Sequence, residues 1–297
     1  MSLRRFMVIL LFMALPFTAV AGEKAKTVDE LAKMYDVSSC KKCHAKIHEE
    51  WEKSAHATAM VGTGRTIGGT RGYINALKIW KNSGVKDVKD ITVEHLMPCM
   101  DCHLPQLKDA TDDVAREIVK AYLADPADKK TLNKLGINCL VCHNIRSIAR
   151  KWQDGDPEPG VIYGTKEGSH PDKVYTKMKK SPIIKEAVMC GHCHGLGPVL
   201  TDPAPTQCAT AYGSYLHAYV PAGGNQTCQD CHMEKGSHRW SGFITQGETV
   251  MKQPNRAFDV DVIATPYQFL ERPGNLIPKT NLTVKITNKA GHRIPDG

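Results

Sequence analysis

The chain has 297 residues, 24% of them charged and 6% aromatic. After Val20 no apolar run is long enough to span a bilayer as a helix, so a soluble exported protein is expected. The formal charge of +8 would suit a polyanionic partner, but Arg4 and Arg5 contribute to it from a segment expected to be removed.

That segment, residues 1–21, reads as a secretory signal peptide. Arg4 and Arg5 precede an apolar run from Phe6 to Val20, and Ala19-Val20-Ala21 is a small-x-small cleavage site. The mature chain is therefore expected to begin near Gly22 and to lie in the periplasm or outside the cell. Residues 27–35 predict a short helix, and His44 to Met60 a second, with Ile47, Trp51 and Ala55 recurring on one face. Helices are also expected over 68–84, ended by Gly84, and over 111–125, capped by Thr111 and stopped before Pro126. A fifth is expected over 171–182. Residues 195–227 and 236–256, rich in Gly, Pro, Thr and Gln, read as loops. After residue 256 the pattern alternates, in "AFDVDVIATPYQF" and "NLTVKITN", and predicts strands. The fold class expected is mainly α and loop over 22–255, with a small β-rich segment over 256–297.

The stretch "SSCKKCHAKIHEEWEKSAHATAM" holds Cys40 and Cys43 with His44 directly behind. Cys-x-x-Cys-His holds a c-type haem: two thiols add to the vinyl groups, and the adjacent imidazole reaches the iron. The unit recurs at Cys99, Cys102 and His103, at Cys139, Cys142 and His143, at Cys190, Cys193 and His194, and at Cys228, Cys231 and His232. Paired thiols also build zinc sites, but zinc needs no His behind every second Cys. A disulfide framework would not place ten of eleven cysteines in identical units. The sequence thus predicts five covalent haems c. Cys208 is left over, and reads as a small buried hydrophobe, a partner-chain disulfide or a reactive thiol. Five haems bring about ten propionate charges, so the mature holoprotein approaches neutrality and nucleic acid is not an expected partner. The lysines read instead as propionate partners or docking charges for redox proteins.

Each motif supplies one axial ligand, and a second nitrogen ligand closes the iron for electron transfer. Thirteen histidines less five leave eight. His48, one turn past His44, reads as structural or surface, and His192, inside a motif, as facing solvent or a propionate. His56 lies far enough along its helix to reach a neighbouring haem. His170 and His238 sit in short polar loops beside motifs, and His292 sits at a turn after a strand. With His95 and His217 they form the candidate distal set.

"CKKCH" followed by "WEKSAHATAM", with "GINCLVCHN", resembles the tetrahaem cytochrome of ammonia oxidisers and the hydroxylamine oxidoreductase superfamily. "VMCGHCHG", "NQTCQDCHM", "SHRWSG" and "VKITNKAGHRIPDG" resemble a broader group of exported multihaem cytochromes. The resemblance implies that His56 ligates the third haem, held by His143, and that His170 serves the first. It implies that the second haem, on His103, lacks a distal His, and that the last two units carry ligands. The fifth haem and the β segment depart from the tetrahaem pattern. The expected function is electron transfer in periplasmic or extracellular respiration, with no catalytic residue assigned. The expected partners are redox proteins such as a membrane quinol-oxidising complex or other cytochromes, and a homo-oligomer is allowed. The alternative is a haem oxidoreductase acting on a small nitrogen or sulfur compound at the haem of His103.

Overall fold

The computed structural model describes residues 23–62, 65–148, 155–195, 198–199, 206–207, 210–240 and 257–294. The expected signal peptide and Cys208 lie outside them. Among the described residues no helix is long and apolar enough to cross a membrane. The fold is mixed: short helices, small sheets and a C-terminal antiparallel hairpin.

Helix α1 (Val28–Met34) starts at Thr27, whose hydroxyl accepts from the Glu30 backbone N–H and satisfies an otherwise orphan donor. Helix α2 (Ala45–Glu52) follows the first motif and stops eight residues short of the expected end at Met60. His56 therefore sits in a run of turns rather than on a helix. Helix α3 (Arg65–Ile79) ends before Gly84, whose φ of +75° suits a residue without Cβ. Helix α4 (Val93–His103) carries the second motif in its last turn, and α5 (Asp112–Leu123) runs through the centre of the core. Val114, Ala115, Ile118, Val119 and Tyr122 of α5 are fully buried against Leu31, Ile74, Leu96 and Leu107. The Tyr122 hydroxyl donates to the Met60 carbonyl at 2.6 Å, so its polar end is satisfied inside that core.

The helix expected over 171–182 is not formed. Strand β1 (Val161–Gly164) pairs in parallel with β3 (Lys177–Lys180), which pairs antiparallel with β2 (Gly168–Ser169). Non-local pairing has overridden the helix propensity of "KMKK". The interval expected to be loop over 195–227 contains helix Ala211–Ser214 and a π-helical turn, Tyr215–Tyr219. In the C-terminal segment Phe258–Arg272 and Asn275–Asn288 form one long hairpin, and the Lys289 N–H closes its base on the Ala257 carbonyl at 2.7 Å. Val260, Val262, Leu282, Val284 and Ile286 share one face of that hairpin and are exposed.

Candidate functional site

The five motifs lie in helical turns. The first occupies the 3₁₀ turn Ser38–Lys42 and the residues just after it, and the second ends α4. The third begins at Cys139 and runs into the π-helical turn Val141–Ile145, the fourth lies in helix Ala187–His194, and the fifth in helix Cys228–His232. The last is fixed by a reciprocal cap between Thr227 and Asp230.

Four motif histidines face a histidine from elsewhere. The ring centroids are 6.4 Å apart for His44 and His170, with planes 10° apart, and 6.4 Å for His143 and His238, at 24°. They are 6.2 Å for His232 and His292, at 22°, and 6.1 Å for His56 and His194, at 90°. Two metal–nitrogen bonds of about 2.0 Å and two ring radii of about 1.2 Å separate axial imidazole centroids by about 6.4 Å. The spacing of all four pairs therefore fits one iron between two rings.

The hydrogen bonds of the rings fit as well. Nδ1 of His143 lies 2.8 Å from the Tyr163 carbonyl, of His170 2.7 Å from that of Tyr175, and of His238 2.9 Å from that of Gly236. Nδ1 of His292 is 2.8 Å from the Arg293 carbonyl, and Nδ1 of His103 is 3.0 Å from that of Ala59. A carbonyl can only accept, so each ring carries its proton on Nδ1 and keeps the Nε2 lone pair for a metal. The small sheet serves two of these sites: β1 supplies the Tyr163 carbonyl, and β2 leads into His170, whose N–H donates to Thr176. The Asp172 carboxylate pins that loop by accepting from the Val174 and Tyr175 N–H groups, which hold its pKa down to about 2. Burial, with a smaller contribution from the His194 ring, holds His56 down to about 4. Burial also lowers His143 and His238, so these rings stay neutral and fit to ligate.

His56 departs from the pairing the resemblance implies. Its backbone does lie beside the third motif: its carbonyl accepts from the Ile137 N–H at 2.9 Å, and Trp51 Nε1 donates to the Ile137 carbonyl at 2.7 Å. A Cβ on Gly136 would come within 2.5 Å of the Ala57 carbonyl oxygen, so only glycine permits this approach. The ring, however, faces His194 of the fourth motif and stands edge-on to Trp240 at 4.6 Å, while His143 faces His238.

His95 is a correction to the candidate distal set. Its Nδ1 accepts from the Thr92 N–H at 3.1 Å, and its Nε2 lies 2.9 Å from the Ser83 carbonyl. Both nitrogens are engaged, in the tautomer opposite to that of the paired rings, and His95 caps α4. His217 is exposed on the turn Tyr215–Tyr219, and among the described residues no ring contact brings it to a motif histidine. His48 is buried, 3.3 Å from Glu52 and edge-on to Trp51, as a structural residue. His192 is half-buried in the helix of the fourth motif. Among the described residues no second histidine ring faces His103.

The motifs also meet one another. Proximity couples the ionisation of the thiols of Cys40 and Cys139, of Cys102 and Cys193, and of Cys190 and Cys228. In each pair it raises one thiol (Cys139, Cys102, Cys190) and lowers the other (Cys40, Cys193, Cys228). Arg146, just past the third motif, pairs with Asp101 inside the second at 2.6 Å. In space the first motif is thus beside the third, the second beside both the third and the fourth, and the fourth beside the fifth. Among the described residues no cluster of three or more His, Cys, Asp or Glu side chains forms a closed metal site, the arrangement structural zinc would need.

Sequence reasoning passed over Glu50, Asp172 and Arg146, which hold loops and motifs in register. Each is one charged residue among many in the sequence, with no spacing to single it out. No family model matches the chain, and no curated relative or solved structure does either.

Proposed function

We propose that the chain is an exported multihaem c-type cytochrome that passes electrons through five covalent haems. The observation that carries this reading is the set of four motif-to-remote histidine pairs at 6.1–6.4 Å. In this reading the ten motif thiols become thioethers, and His44, His103, His143, His194 and His232 are the proximal ligands. His170, His238, His56 and His292 are distal ligands to the first, third, fourth and fifth haems. When bound, the haem irons exchange single electrons, at potentials set by ligands, burial and hydrogen bonds. The chain's own residues fix the tautomers through the carbonyls of Tyr163, Tyr175, Gly236 and Arg293, and keep the buried imidazoles neutral. The thiol contacts, with the Arg146–Asp101 pair between the third and second motifs, bring successive groups close in the order first, third, second, fourth, fifth. A wire needs that proximity, and a set of independent sites would not.

The reading includes export, with residues 1–21 removed, and partners among redox proteins, such as a membrane quinol-oxidising complex or another cytochrome. It does not include nucleic acid. Intact mass tests it directly: the exported protein is expected to start near Gly22 and to carry five haem additions. Electron paramagnetic resonance is expected to show four low-spin irons. A chain without covalent haem would overturn the proposal.

A second reading, catalysis on a small nitrogen or sulfur compound, rests on His103. Its Nδ1 is fixed by the Ala59 carbonyl as in the paired rings, yet no second ring faces it among the described residues. One iron in five would then be open to an exogenous ligand. Turnover that survives loss of the other distal ligands but fails when the haem of His103 is blocked would favour this reading.

A further inference from the structure

We infer that Glu50 is a positioning residue for His238, and so governs the distal side of the third haem from a helix that belongs to the first. The inference rests on the haem reading above. Glu50 lies on α2, six residues past His44, and is buried at 7% exposure. A carboxylate is seldom buried unless its oxygens are occupied. Its Oε2 accepts from the His238 backbone N–H at 2.8 Å and from the Ser237 hydroxyl at 3.2 Å. Its Oε1 lies 3.9 Å from Nε of Arg239. Three consecutive residues, Ser237, His238 and Arg239, thus converge on one carboxylate.

The loop they belong to needs such a clamp. Lys235 and Trp240 adopt φ of +55° and +45°, a region side chains with a Cβ disfavour, and Gly236 adopts +77°. Among the described residues the segment lies in no strand: past the motif helix Cys228–His232, a single 3₁₀ turn, Glu234–Gly236, leads into His238. The bond from Nδ1 of His238 to the Gly236 carbonyl is internal to the loop, so it orients the ring within the loop but does not anchor the loop. Glu50 supplies the anchor. Its carboxylate also lies beside the residue whose ring faces His143, where its negative charge would stabilise the oxidised, more positive iron of a bound haem.

The test compares Glu50→Ala with Glu50→Gln in the holoprotein. Glu50→Ala removes the acceptor, and is expected to leave five covalent haems by mass while one iron in five becomes high-spin and binds carbon monoxide. Glu50→Gln keeps an acceptor oxygen, and is expected to stay low-spin while one haem shifts to a higher potential in a spectroelectrochemical titration. The same low-spin spectrum in Glu50→Ala as in wild type, or unchanged potentials in Glu50→Gln, would overturn the inference. If Glu50→Ala does not accumulate, the Glu50→Gln titration decides alone. Wild-type protein without five covalent haems would overturn the haem reading first, and this inference with it.

Discussion

Between Ala25 and Leu135 twenty-two buried apolar residues form one continuous cluster, whereas between residues 155 and 240 only Val161, Tyr163, Ile183 and Ala187 among the described apolar residues are buried. The first region dries its interior with side chains, the ordinary source of folding free energy. The second is comparable in length and holds two motifs and two remote histidines that face motifs, but its apolar side chains cannot account for its shape. In the haem reading, porphyrin surface and iron–imidazole bonds supply the missing cohesion. The lesson is that the haems need not be spread evenly as structural elements. One region would fold around its own core and present ligands, and the other would fold around its cofactors.

The strongest way to break this comparison is to withhold haem. In protein made without haem attachment, amides over residues 155–195 and 210–240 are expected to lose nearly all protection, while those of Asp112–Leu123 remain slow; hydrogen exchange read by mass spectrometry checks it. Equal protection in both regions would mean that the second has a core of another kind. Next in size is Ile118→Ala, which empties a fully buried position and is expected to cost about 2–5 kcal/mol in urea denaturation. Ile183→Ala is expected to cost less, because Ile183 belongs to no comparable cluster.

Two histidine pairs, His44 with His170 and His56 with His194, sharpen the comparison further, because they cross between the regions. His56→Ala is expected to open one iron in five to carbon monoxide, and His56→Ala with His238→Ala to open two. If instead His56 closed the third haem and His238 closed none, the double variant would open one iron, no more than His56→Ala alone. Deleting residues 280–297 removes His292, and is expected to open the iron of the fifth motif in the same assay. The smallest effect belongs to His95→Ala. It removes a helix cap at a cost of about 1 kcal/mol and is expected to leave every iron unchanged in the resonance spectrum.

The five Cys-x-x-Cys-His units were visible without coordinates, since the haem chemistry they suggest rests on adjacency and adjacency can be read in a sequence. So were α1, α5 and the strand pattern of the hairpin, whose signals are local. The partner of His56 was not. That depends on where α2 stops and on how the turn around Ala57 lies against Gly136, a contact between residues far apart in the chain. The strand Lys177–Lys180 was hidden for a related reason: its residues favour a helix in isolation, and only pairing with Val161–Gly164 makes them extended. His95 looked like a ligand because a histidine count carries no tautomer, and the tautomer is set by Thr92 and Ser83.

The thiol contacts place residues side by side that synthesis separates widely: Cys102 and Cys193 are 91 positions apart, and each lies in a different region. A fragment cut after residue 135 would keep the twenty-two-residue apolar cluster and two complete motifs. It would also strip Cys40 of Cys139, Cys102 of Cys193, His44 of His170 and His56 of His194. In the haem reading such a piece would keep its own apolar core and lose the contacts that electron transfer needs. Motifs could then not be added to or dropped from this chain like beads, because the part that can bury a core would be shorter than the part that can pass electrons.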